Sequence, residues 1–258
     1  MTSSFDFDET LSSATQPAKP QHTMSLLLVL FASVILAQIP YVNWIFGPIN
    51  TFVTTVHEMG HALVCLLTGG TVSGLTIVSD GHGHGGLTFC HGGMPFFYSQ
   101  AGYLGATFFG CLLIASARFQ KLSRVVLGLI GVALGASTLL LMSGTIFHEW
   151  RILEGLGSMF WGLLMSAGFI WAAIKMNARW ANLLLLFIGV QTALNAVQGV
   201  TYLMQSSFGM GSEAWSDATN MAQMTGVPAF VWGFLWAAIS LLMVGGTLWF
   251  TWHADSKK

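Results

Sequence analysis

Charge is what this chain has least of. Asp, Glu, Lys and Arg make up 7% of its 258 residues, against about 25% in a soluble domain. A surface that poor in charge is not built for water. The net charge is −1 and no basic block is present, so nothing marks a nucleic-acid partner. The three cysteines, Cys65, Cys90 and Cys111, show no paired spacing, and two lie in apolar stretches. They read as small buried residues rather than as a disulfide framework. The first 23 residues lack the basic opening of a signal peptide, so the first apolar run is expected to be retained as a helix.

What the chain has instead is apolar residue, 54% of the total, with a mean hydropathy of +0.68. Runs long enough to cross a bilayer recur along nearly its whole length. The expected class is an all-α polytopic membrane protein of six to seven spans with one small β-hairpin. A bacterial cytoplasmic membrane or an organelle membrane would hold it, in contact with the lipid bilayer.

Residues 1–23, rich in Ser, Thr, Gln and Pro, read as a disordered polar tail. A single transmembrane domain is expected over 24–252, with 253–258 as a C-terminal tail. Its spans are read as 24–46, 49–68, 95–117, 125–147, 155–174, 180–204 and 227–252. Gly47-Pro48 separates the first two, and Gly69-Gly70 stops the second. Gly131 and Gly135 form a GxxxG in the fourth, a pattern suited to close helix packing. Between the second and third spans, β-prone runs around Val72–Val78 and Leu87–Phe89 flank the Gly-rich Asp80–Gly86. That is a hairpin signature, expected at about 71–93. Open strand edges are not tolerated in lipid, so it belongs at the interface or along a cavity. With seven spans, seven of the nine basic residues fall on one side. That side is cytoplasmic by the positive-inside rule, and the hairpin faces the other way.

The chemistry concentrates in Val56-His57-Glu58-Met59-Gly60-His61. Two imidazoles four residues apart on a helix share a face and can bridge one Zn²⁺. The Glu between them can take a proton from an attacking water. A random shuffle of this composition contains HExxH in roughly 0.5% of chains. From Asn50 to Leu67, Glu58 is the only fully charged residue, and an acid at membrane depth is a functional candidate. A catalytic zinc takes a third protein ligand. Candidates are Asp217, Glu149, Glu154, Asp80, His82, His84 and His91. The alternative reading of Asp217 is a helix cap or a solvated loop acid. His82, His84 and His91 also suit a flexible, water-exposed turn, or a second metal. Asn195, inside the sixth span, could orient a substrate carbonyl or a ligand, or make a plain interhelical hydrogen bond.

An apolar HExxH helix followed by Leu67-Thr68-Gly69-Gly70 and a short hairpin resembles the site-2 protease family of intramembrane zinc metallopeptidases. Ala101-Gly102-Tyr103-Leu104-Gly105, Ser216-Asp217-Ala218 and Thr225-Gly226-Val227-Pro228 before a Trp-rich helix resemble its small, domain-poor branch. The resemblance runs from about Thr51 to Trp236. It implies a metalloendopeptidase acting on membrane-spanning or membrane-adjacent proteins, with one Zn²⁺ held by His57, His61 and Asp217, and Glu58 as the catalytic residue. The Leu-Asp-Gly sequence that carries the ligand Asp in better-known members is absent here. A non-proteolytic metal-binding or chaperone protein, or a metal transporter, could use the same residues. A transporter should show polar ligands along several spans, and these are sparse. The hairpin could hold an unwound substrate strand by edge pairing. Cleavage unchanged by proline substitutions along that edge excludes this.

Overall fold

The computed structural model describes residues 24, 28, 29, 31, 47–78, 85–199 and 216–256. The polar tail, most of the first expected span, and Asp80, His82 and His84 lie outside them.

Helix α1 spans Gly47–Leu67. It ends where expected: the N–H groups of Thr68, Gly69 and Gly70 turn back onto Val64, Leu66 and Cys65 carbonyls at 3.0, 3.1 and 2.8 Å. Gly69 sits at φ +85°, the left-handed conformation that closes many helices and favours glycine. The chain then enters β1, Thr71–Thr76, which pairs antiparallel with β2, Leu87–His91. Val72 faces Cys90 and Leu75 faces Thr88, with a bulge between Val72 and Gly74.

Among the described residues the helices that follow include α2 Pro95–Ser116, α3 Ser123–Phe147, α4 Ile152–Lys175, α5 Ala178–Ala193, α6 Asp217–Thr225 and α7 Ala229–Ser256. Four of the described helices, α2, α3, α4 and α7, are long and apolar enough to cross a membrane. Helix α1 has the length, but His57, Glu58, His61 and its threonines make it less apolar. The described part of the sixth expected span is α5, then a break at Leu194 and helical residues 195–199.

The expected GxxxG is a packing seam. A Cβ at Gly131 would lie 3.0 Å from the Ser166 carbonyl oxygen of α4, and the Ser166 hydroxyl donates to Gly131 O at 2.7 Å. Near its end α3 widens into a π-helical turn, Thr138–Met142, a local change of pitch often found near functional sites. Beyond it, Thr145 Oγ1 donates to Leu75 O of β1 at 2.9 Å. Just past the end of the same strand, Ile77 N donates to Ser158 Oγ of α4 at 2.9 Å. Strand β1 is therefore fastened to the helix bundle, and β2 is the outer strand.

The basic turns gather at one end. Arg124 donates to the last carbonyls of α4, Ala173 O and Ile174 O, both at 2.7 Å. Asn182 donates to Ala117 O, just past the end of α2, at 2.5 Å, and to Ser123 Oγ at 2.9 Å. Cationic and polar groups there satisfy carbonyls a helix leaves open at its C-terminus.

One expectation is overturned. Cys65 and Cys90 are joined in a disulfide, with Cα atoms 6.2 Å apart; of the three, only Cys111 is free, buried in α2. Twenty-five residues separate the pair, a spacing no motif records. The hairpin's fold-back over α1 is what brings them together.

Candidate metal centre

The break and cap residues around the site decide where its side chains point. Helix α1 carries His57 and His61 on one face. Helix α6 begins with a capping box in which Ser216 and Thr219 satisfy each other's backbone N–H groups. Ser216, not Asp217, is the cap. That leaves the Asp217 carboxylate, on the first residue of α6, to reach the imidazoles. Ala218 and Met221 bury the same helix against Trp236 of α7.

Three donor atoms converge. His57 Nε2 lies 3.0 Å from Asp217 Oδ2 and His61 Nε2 lies 3.3 Å from the same oxygen. The two Nε2 atoms are 3.0 Å apart. The outer nitrogens are accounted for separately: His57 Nδ1 meets Asn195 Oδ1 at 3.1 Å, and His61 Nδ1 meets Tyr98 O at 2.6 Å. Both partners are acceptors, so each Nδ1 carries the proton and each Nε2 presents a lone pair. Lone pairs of two imidazoles and a carboxylate at these separations repel unless a cation lies among them. Tetrahedral zinc with bonds of about 2.0–2.1 Å sets its donors about 3.3 Å apart, close to the 3.0, 3.0 and 3.3 Å found here. The residues fit the metal.

Glu58 is buried beside this trio without joining it. Thr88 Oγ1 of β2 lies 2.7 Å from Glu58 Oε2 and 3.0 Å from Glu58 O. A Cβ at Gly86 would lie 2.8 Å from Glu58 Oε1, so glycine lets the hairpin pass over the carboxylate. A cavity of about 600 Å³ opens here, bordered by the trio, Glu58, Thr88 and Asn220 among others.

The second helix frames the trio from the other side. Gly102 faces the imidazoles so closely that an added methyl would meet both Nε2 atoms. Tyr103 sets its ring edge-on to His57, centroids 4.6 Å apart, and stacks on Trp236 at 5.3 Å.

The other described candidates, His91, Glu149 and Glu154, lie elsewhere. His91 Nε2 bonds Ser73 Oγ at 2.8 Å, Ser73 also bonds Glu149, and Glu154 pairs with Arg151 at 3.1 Å. Sequence reasoning did not single out Thr88, Tyr98, Gly86 or the disulfide. Thr88 and Gly86 sit in the hairpin that was read, but nothing local marks a threonine that will face Glu58. Gly102 was visible only as part of a motif.

Residues 24–247 match a family model described as Peptidase M50B-like. No curated protein and no solved structure matches the chain.

Proposed function

The chain belongs to the M50B-like peptidase family, and from that premise we propose that it is an intramembrane zinc endopeptidase. Its ligands are His57, His61 and Asp217, and Glu58 is its general base. Within a multi-pass membrane domain over 24–252, it hydrolyses peptide bonds of membrane-spanning or membrane-adjacent proteins. The observation that carries this reading is the convergence of the three donor atoms within 3.3 Å, with both outer nitrogens satisfied.

A zinc ion held there supplies a Lewis acid that polarises the scissile carbonyl and makes water nucleophilic at neutral pH. The chain's own residues do the rest. Glu58 takes the proton of the attacking water and delivers it to the leaving amine. Thr88 holds the Glu58 carboxylate in one orientation. Asn195 and the Tyr98 carbonyl fix the imidazole tautomers, and Tyr103 limits rotation of His57. The cavity admits an unwound segment, which a helical substrate must offer because its own hydrogen bonds hide its peptide bonds. Strand β2, the outer strand beside the cavity, is placed to pair with it.

Glu58→Gln tests the reading. In purified protein it is expected to abolish hydrolysis of a transmembrane peptide while zinc stays bound at one per chain. Hydrolysis equal to wild type would remove the peptidase reading.

A further inference from the structure

We propose that the Cys65–Cys90 disulfide is a positioning clamp for Glu58, so that the working geometry of the site depends on this pair being oxidised. The proposal rests on Glu58 as the general base.

Cys65 lies on α1 one helical turn beyond His61 and is fully buried. Cys90 lies on β2 and borders the cavity. Thr88 and Cys90 are two residues apart on a strand, so their side chains leave the same face. One lies 2.7 Å from the Glu58 carboxylate; the other is bonded covalently to the helix that carries Glu58. The two strands are anchored differently. Strand β1 is held by Thr145 of α3 at Leu75, and the chain directly after it by Ser158 of α4 at Ile77. Among the described residues, the polar and covalent ties of β2 to α1 are Thr88 and the disulfide. Close packing seals the hairpin's base at the same point: a Cβ at Gly70 would lie 2.7 Å from Cys65 Sγ. Loosening that base releases the Thr88 hydroxyl that orients Glu58.

The bond can be reached. A dithiol reductant entering the cavity meets the Cys90 sulfur, since Cys65 is buried. Its thiolate bonds to Cys90 Sγ, the Cys65–Cys90 bond breaks, and Cys65 leaves and takes a proton. The reductant's second thiol then displaces Cys90 as a thiol. Two electrons and two protons pass to the protein, and the reductant ends as its own disulfide.

The test uses full-length zinc-loaded protein carrying Cys111→Ala. It is compared oxidised, and after dithiothreitol treatment and anaerobic removal of the reagent. Reduction is expected to speed amide exchange across Leu87–His91 by about tenfold or more while α2 is unaffected. With zinc retained, kcat should fall about tenfold and KM change less than about twofold, because orientation of the base is lost rather than binding. Reoxidation should restore kcat. A Cys65→Ala/Cys90→Ala variant should match the reduced protein and ignore reductant. Unchanged exchange at β2, an unchanged kcat, a kcat loss that tracks zinc loss, or free thiols at both positions in protein isolated without reductant would each overturn the clamp. Faster β2 exchange in a protein with no Glu58-dependent hydrolysis in either state supports the clamp and places the failure in the peptidase reading.

Discussion

Asn195 Oδ1 accepts the His57 Nδ1 proton at 3.1 Å, across 138 residues of chain. The bond fixes the tautomer that turns Nε2 toward Asp217. It exists because α5 breaks at Leu194 and restarts, bringing the next turn against α1.

Asn195→Ala removes the acceptor and leaves His57 free to rotate or change tautomer. We expect zinc affinity to fall about 10- to 100-fold, read by competition with a chromophoric chelator. Asn195→Asp, which keeps an acceptor, should recover most of it. A large rise in KM at unchanged zinc affinity would instead assign Asn195 to substrate.

Asp217→Ala removes the only carboxylate among the three converging donors. Purified protein should lose stoichiometric zinc, measured by elemental analysis. Zinc retained at one per chain would take Asp217 out of the ligand set.

Gly102→Ala places a methyl against both imidazoles. The variant should bind zinc poorly and lose about 1–3 kcal/mol of stability, as overpacked sites do. Gly105→Ala is the control: its nearest neighbour would be Gly60 Cα at 3.6 Å, an ordinary contact. Zinc titration and thermal melts of the pair separate the metal site from general helix packing.

Thr88→Val keeps the shape of the residue and deletes the hydroxyl next to Glu58. A fall in kcat of about tenfold with little change in KM is expected, the signature of a misoriented base. Thr88→Ser should restore it. Equal kcat in the valine and serine variants would show that Thr88 only packs.

The legible part of this molecule was the part written in local patterns. The hairpin, the Gly69-Gly70 stop, the spans that became α2, α3, α4 and α7, and the His57–His61 pair all follow from spacing along one segment. From spacing alone Asp217 was one acid among several, because a single carboxylate carries no periodicity, and it was the family resemblance that picked it out. Ser216 taking the cap is what freed it, and that depends on the backbone entering α6. The disulfide was misread for a related reason. A bridge requires Cα atoms within about 4.4–6.8 Å, and Cys65 and Cys90 reach that separation only when the hairpin folds over α1.

By itself, the sequence determined the solvent, the helical class and the two imidazoles, since apolar runs, glycine stops and an i, i+4 pair act within a few turns of chain. Only the tertiary structure decided which oxygen faces those imidazoles, which acceptors set their tautomers, and which strand lies over Glu58. Those contacts join residues 30 to 160 positions apart, and their geometry is set by how helices and hairpin pack rather than by any residue's neighbours.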